Sequence, residues 1–321
     1  MFGSADVKLC GTALLLLLGA LANVFNLGVT LVQQWRSGGA KKTVAAIICL
    51  ISLGNVLLQI STFVLAASVW AGALCGPDLP FFFCVVLFLW LSGSSVSFWS
   101  VASLSVLYCV RVLSFSSVLL RALKENISAV LCVVLAVTSL TSCLMFTPFF
   151  FLHFQPKTLN LNTTEKDVCV LKKPLFPSWV DVNAYVITFI CHLTLMPLSI
   201  MLPTSLSLVV YLCKHTTSVQ KKQSRGSYLR FCRLTVALVG VYLATLLSIS
   251  LYYFHAIFAS GLSADVLFLG LSFYCVASAI LLTCSNKNLR EKLRATLICR
   301  RTNTNTTSRS EDKSGATATY M

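Results

Sequence analysis

Charged residues are scarce in this sequence. Asp, Glu, Lys and Arg make up 11% of the 321 residues, against roughly 25% in soluble globular domains. Hydrophobic residues reach 57%, and the mean hydropathy is +0.83. This composition excludes an ordinary soluble domain and predicts a membrane protein, because only lipid accommodates so much apolar surface.

Ionisable side chains are almost absent from the long apolar segments; the exceptions, such as His192 and Asp265, lie near the segment ends. This scarcity argues against an ion-coupled transporter, which needs charged groups near the membrane midplane. It also argues against an intramembrane hydrolase, since no His/Asp pair is spaced to activate a nucleophile. The four His are scattered and no CxxC motif occurs. We therefore expect no enzymatic activity, no metal and no cofactor.

The apolar residues form seven segments, each long enough for a helix to cross a hydrocarbon core of about 30 Å. The predicted fold is an all-α membrane protein, a seven-transmembrane helix bundle. We call these segments spans one to seven: Leu9 to Gln33, Thr43 to Ala71, Leu79 to Val110, Ile127 to Leu152, Val182 to Cys213, Phe231 to Ala259, and Ala264 to Ser285.

The cations predict the orientation. Of the 25 Lys and Arg, all but five lie in loops or the tail on one side. The positive-inside rule therefore places the N-terminus outside, with span one as an uncleaved anchor. The net charge of +15 then reflects topology, with anionic membrane lipid as partner. Nucleic acid is excluded, because the cations are divided among four loops. The five cations on the other side are Lys8, Lys157, Lys166, Lys172 and Lys173.

The segment after span seven is predicted to be a short amphipathic eighth helix inside the cell. Leu289, Leu293 and Leu297 recur at helical spacing among cations, as in helices that lie on a membrane surface. The last residues are polar and are predicted to be disordered. The chain therefore divides into 1–285, the seven-transmembrane domain, 286–300, the amphipathic helix, and 301–321, the tail.

Two covalent features are expected on the outer face. We expect Cys169 to form a disulfide with Cys84, or alternatively with Cys75, because these positions face an oxidising compartment. Of the two partners, we favour Cys84. Of three N-x-[ST] sequons, only that at Asn162 lies on the outer side and is predicted to be glycosylated.

Neutral polar and aromatic side chains occupy the span interiors. Trp90, Ser94 and Ser97 fall near one face of span three. Small residues there also suit plain helix packing, but the Trp90 indole needs a cavity or lipid neighbour and an N–H partner. Such a cleft suits a small, mostly apolar ligand. Asn23 and Asn55 are predicted to join helices by hydrogen bonds.

Three motifs carry a resemblance to a known family: "SLSVLYCVRVLSFSS" at the end of span three, "LMPLSIMLPTSLSLVVYLCKHTTSVQ" in span five, and "SNKNLREKL" after span seven. They resemble the bitter taste receptors, the type 2 taste receptor family of G-protein-coupled receptors. The usual arginine of span two is missing from Ile51–Asn55. The chain therefore resembles a divergent, fish-like member, expected in the plasma membrane.

The resemblance implies a ligand site in the outer half of the bundle. Tyr242 resembles the activation tyrosine of span six, with Thr245 as the rival register. Phe268 stands where some members carry an acidic residue, which disfavours cationic ligands. The implied ligand-binding residues are Trp90, Ser94, Ser97, Ile187, Ile190, Tyr242, Thr245 and Phe268.

The resemblance also implies a contact with a heterotrimeric G protein of the gustducin or Gi type, followed by phospholipase C and calcium signalling. The small-molecule partner would be a bitter compound. The implied contact residues are Tyr108, Arg111, Lys214, His215, Lys221, Lys222 and Arg233.

Two alternatives remain open at this stage. The nearer is a type 1 vomeronasal (pheromone) receptor, which shares the architecture. The other, from a different class, is a small-solute transporter or channel, disfavoured by the lack of midplane charges and inverted repeats.

Overall fold

A computed structural model describes residues 4–36, 42–70, 80–113, 118–147, 154–155, 170–171, 181–216, 222–258 and 265–295. Nearly all of these residues are helical, and seven segments are long and apolar enough to cross a membrane. The predicted seven-helix fold is confirmed. Six spans are single helices: Ser4–Arg36, Lys42–Trp70, Pro80–Val112, Val118–Phe146, Lys222–Phe258 and Asp265–Ser285.

Span five is not a regular helix. It consists of Val182–Ile190, a π-helical turn over Cys191–Leu195, and Met196–Thr216. Between spans four and five, two-residue strands at Phe154–Gln155 and Val170–Leu171 pair antiparallel. Following the predicted topology, we call the end of the bundle that carries these strands the outer end, and the opposite end the inner end.

Span three lies at the centre of the bundle and contacts spans two, four, five and six. Its polar residues are therefore buried against other helices. Span seven packs against spans one, two and six. Large apolar side chains such as Leu17, Leu144 and Leu206 point outward, as expected of a surface that faces lipid.

The backbones of spans two and three lie close together at a pair of glycines. A Cβ atom on Gly54 would lie 2.8 Å from the Gly93 carbonyl oxygen, and one on Gly93 would lie 2.9 Å from that of Gly54. Small residues at helix crossings permit such backbone contact in membranes. The crossing fixes the position of span three relative to span two, directly beside Ser97.

A further helix covers residues 287–295, within the predicted amphipathic segment. Asn286 caps it, since its Oδ1 accepts a hydrogen bond from the Asn288 backbone N–H at 3.1 Å. Leu289 is fully buried, whereas 291–295 are exposed. One apolar residue thus anchors this helix to the bundle; the predicted remainder, including Leu297, lies outside the described residues.

Candidate functional site

Trp90 and Phe268, two of the predicted ligand residues, belong to one apolar region near the outer end. Phe268 forms a small apolar cluster with Leu65, Ala66 and Val86, against which the half-buried Trp90 packs. The Trp90 indole N–H donates a hydrogen bond to Thr62 Oγ1 on span two at 3.0 Å. The expected partner for this N–H is therefore present, and it fixes the orientation of the ring.

A cluster of three aromatic rings lies deeper in the bundle. The Phe98 ring is 5.0 Å from the Tyr242 ring and 5.0 Å from the Tyr274 ring, and both pairs are edge-to-face. This arrangement suits the aromatic quadrupole. All three side chains are buried. The cluster joins spans three, six and seven, so that displacement of one ring must disturb the other two.

Tyr242 also holds the π-helical turn of span five. Its hydroxyl donates a hydrogen bond to the Thr194 carbonyl at 2.7 Å. Within the turn, the Met196 N–H donates to the Cys191 carbonyl, and Pro197, which follows, has no N–H to give. The turn therefore has altered backbone pairing, and a side chain from span six supplies a donor to it. π-helical turns are frequent at functional sites.

A buried polar network joins spans one, two, three and seven. Asn55 Nδ2 donates to Asn23 Oδ1 at 3.1 Å and to Ser278 Oγ at 2.9 Å. Ser97 Oγ donates to Asn55 Oδ1 at 2.6 Å and lies 2.9 Å from the Tyr274 hydroxyl. The predicted interhelical role of Asn23 and Asn55 is confirmed. The network also reaches the aromatic cluster through Tyr274.

Another polar chain joins spans three, four and five. Ser95 Oγ lies 2.6 Å from Ser142 Oγ, which lies 3.3 Å from His192 Nε2. The His192 ring is 5.6 Å from the ring of Trp99. Since His192 belongs to the π-helical turn, this chain connects the turn to spans three and four.

The other predicted ligand residues are spread over several environments. Ser94 is buried and donates to the Trp90 carbonyl at 2.8 Å. Thr245 is also buried and donates to the Val241 carbonyl of its own helix. Ile190 is half-buried, whereas Ile187 is 61% exposed. The structure thus brings Trp90, Ser94 and Phe268 into one region and places Tyr242 and Ser97 below it.

At the inner end, Tyr108 of span three and Phe231 of span six stack with centroids 4.7 Å apart and planes 19° apart. Arg111 and Arg233 are exposed nearby along the same two helices. Lys214 is exposed at the inner end of span five. The stack holds spans three and six together where the predicted protein contact lies.

Several predicted residues lie partly or wholly outside the described part of the chain. His215 and Lys222 lie in the helices of spans five and six, but only their backbone is described; Lys221 lies outside the described residues. Asn162 and Cys169 also lie outside them, so the glycan and the Cys84–Cys169 disulfide stay predictions. Among the described residues, no group of three or more His, Cys, Asp or Glu could hold a metal ion.

Phe98, Thr62 and Thr194 belong to the site although nothing in the sequence singled them out. Phe98 is one of several Phe residues in an apolar helix, and Thr62 is one of many span hydroxyls. Thr194 contributes its backbone carbonyl, and residue type does not reveal which backbone carbonyls accept hydrogen bonds from other helices. The one available hint was Pro197, since proline removes a backbone donor in this part of span five.

Comparison with known proteins shows the family of this chain. The family model described as "Taste receptor protein (TAS2R)" matches residues 4–301. Among curated proteins, "Taste receptor type 2 member 40" of Gallus gallus is 30% identical over 133 residues. That alignment spans 40% of this chain and 40% of the chicken receptor.

Proposed function

Because this chain belongs to the TAS2R taste receptor family, we propose that it is a G-protein-coupled bitter taste receptor of the plasma membrane. Its ligands are small, mostly apolar bitter compounds, and its partner is a gustducin or Gi-type heterotrimeric G protein that drives phospholipase C and calcium release. The observation that carries this proposal is a single buried core cluster that contains Phe98, Tyr242, Tyr274 and Tyr108 and against which Trp90 and Phe231 pack.

The ligand site lies around Trp90. Its indole presents apolar surface beside Phe268, and the nearby polar groups, Thr62 and Ser94, are neutral hydroxyls. Thr62 and Ser94 already donate to backbone carbonyls, and the Thr62 oxygen also accepts from the Trp90 indole, so few hydrogen-bonding positions remain for a ligand. A site of this kind binds through apolar contact with few directional bonds. It favours neutral, compact ligands over cations.

Activation is a shift between two arrangements of spans five and six. A ligand stabilises the active arrangement in proportion to its preference for that arrangement. Trp90 lies about two helical turns from Phe98 along span three, and Phe98 contacts Tyr242, which bonds to the π-helical turn. A ligand that displaces Trp90 or span five therefore acts on the Tyr242 hydrogen bond.

The inner end must open for a G protein to bind. The Tyr108–Phe231 stack closes the space between spans three and six, so the active arrangement requires its separation. Arg111, Lys214 and Arg233 then form a positively charged rim, which would attract acidic groups of the partner. His215, Lys221 and Lys222 extend this rim by their positions in the sequence.

The test is calcium release in cells that carry this chain and a gustducin-chimeric Gα, challenged with bitter compounds and, separately, with pheromone-like steroids. A G-protein-dependent response to bitter compounds supports the proposal. Response to the steroids alone would instead assign the vomeronasal class. Ligand-driven solute flux without G-protein dependence would assign a transporter or channel.

The ligand site is tested by Trp90→Ala and Thr62→Val. We expect Trp90→Ala to raise the half-maximal concentration at least tenfold, because a buried aromatic contact contributes more than about 1.4 kcal/mol. Thr62→Val keeps the volume but removes the indole acceptor, so a smaller loss follows. Trp35→Phe is the control, since Trp35 is 89% exposed. Unchanged potency of Trp90→Ala at normal surface expression would remove Trp90 from the site.

The proposed orientation is tested through Asn162. Only an outer sequon receives a glycan, so Asn162→Gln lowers the apparent mass on a gel, while Asn126→Gln leaves it unchanged. A glycan at Asn126 and none at Asn162 would show that the orientation is the opposite of the one proposed. The proposed Cys84–Cys169 disulfide is tested by the migration of a reduced and a non-reduced peptide digest.

A further inference from the structure

A groove lies on the lipid-facing side of the bundle between spans two and four, away from the proposed ligand site. Its volume is about 240 Å³. Its floor consists of Ile47, Leu131 and Leu135, all buried. The groove exists because the residues at its edges, Ala46 and Ala136, are small.

The groove has the dimensions of a lipid chain segment. Its lining runs along span two from Thr43 to Leu50 and along span four from Leu131 to Ser139. At a rise of 1.5 Å per residue, these stretches are about 10 and 12 Å long. The groove therefore extends from the inner end toward the middle of the membrane, parallel to an acyl chain.

The inner mouth of the groove is polar and positively charged. Thr43 Oγ1 and Ser128 Oγ lie 2.6 Å apart across spans two and four. Lys124 is exposed one turn before Ser128, and its Nζ donates a hydrogen bond to the Leu113 carbonyl at 3.2 Å. Lys42 is the first residue of the helix of span two. In the sequence, Arg121 adds a further cation and Glu125 one opposing charge. The chain segments that lead to the mouth thus carry net positive charge, near the level where lipid headgroups begin.

We propose that this groove binds one acyl chain of an anionic phospholipid from the leaflet at the inner end, with the headgroup beside Lys124 and Lys42. The apolar floor takes the chain, and the hydroxyl pair lies at the level of its ester groups. The charge distinguishes this occupant from a sterol, whose single hydroxyl is neutral. The inference is independent of the bitter ligand and of the G protein.

Cys132 makes the proposal measurable. It lines the groove and is exposed, while Cys143 is exposed on the same helix outside the groove. The full chain is purified in a neutral detergent and alkylated with N-ethylmaleimide, and modification of each cysteine is followed by peptide mass mapping. Phosphatidylserine, phosphatidylcholine and cholesterol are added in separate series.

We expect phosphatidylserine to slow alkylation of Cys132 by the factor 1 + [L]/Kd, about fourfold at a lipid concentration three times the Kd. Cys143 is unaffected. Ala136→Leu fills the groove, so Cys132 should be alkylated at the same rate with and without phosphatidylserine. Ala244→Leu is the same change on the lipid-facing surface of span six, and it should leave the protection of Cys132 intact. Lys124→Gln removes the charge, keeps a long polar side chain, and weakens protection.

Three outcomes would overturn the proposal. Equal protection by phosphatidylcholine or cholesterol would show that the headgroup charge has no part. Protection that survives Ala136→Leu would place the lipid elsewhere. Unchanged alkylation of Cys132 with all three lipids, in protein that remains folded by thermal unfolding, would show that the groove holds no lipid chain.

Discussion

The hydrogen bond from Tyr242 to the π-helical turn gives the sharpest prediction. The bond is 2.7 Å long, and Tyr242 is 0% exposed, so water does not replace it. Tyr242→Phe removes the hydroxyl while it keeps the ring that packs against Phe98. The loss of one such bond amounts to about 1 kcal/mol.

We expect this loss to favour the active arrangement, because the bond fastens span six to span five in the closed bundle. Since 1.4 kcal/mol corresponds to a tenfold change in an equilibrium, 1 kcal/mol corresponds to about fivefold. Ligand-independent calcium signalling, normalised to surface expression, should rise by up to about this factor. The half-maximal agonist concentration should fall in parallel.

The matched control is Thr194→Val. It removes the Thr194 hydroxyl, which donates to the Ile190 carbonyl at 2.7 Å, but leaves the backbone carbonyl that accepts from Tyr242. We expect signalling near that of the unmodified chain. If Tyr242→Phe leaves basal signalling and potency unchanged at normal expression, the hydrogen bond is equally strong in both arrangements and is not a switch.

Two further predictions concern helix contacts. Gly54→Ala places a Cβ 2.8 Å from the Gly93 carbonyl oxygen, so the free energy of unfolding, measured by thermal unfolding, should fall by about 1–3 kcal/mol. Gly240→Ala is the control, because a Cβ there has nothing within 4 Å. This control should be neutral or stabilising in the same assay. Phe231→Ala removes the stack on Tyr108 and should raise basal calcium signalling about two- to tenfold, since such a ring pair contributes about 0.5–1.5 kcal/mol. Unchanged basal signalling would show that this stack does not restrain the inner end.

The fold was predictable because its cause is simple. A backbone that crosses lipid must pair its own polar groups, so seven long apolar segments give seven helices whatever their detailed sequence. The interhelical roles of Asn23 and Asn55 followed from the same reasoning, since an amide inside a membrane needs a partner. Their actual partners, such as Ser278, depend on helix rotation and were not predictable.

The site was only partly predictable. Trp90 is distinctive because a large polar-tipped ring in a span requires an explanation. The π-helical turn at Cys191–Leu195 has no comparable signal, because its one-residue shift of pairing arises from contacts with span six and from Pro197. For the same reason, periodicity alone could not show that Tyr242, rather than Thr245, reaches across to span five.

The scarcity of charge in the spans limits the free energy needed to rearrange the helices. A buried ion pair costs several kcal/mol to break, whereas interhelical hydrogen bonds in membranes contribute about 0.6 kcal/mol each and at most about 1.7. The bonds of Asn55, Ser97 and Tyr242 are all between neutral groups. A ligand with a micromolar Kd binds with about 8 kcal/mol, and only the part that differs between the two arrangements drives the change. Neutral bonds keep the free energy of rearrangement within that part, which is what the proposed activation by a small apolar ligand requires.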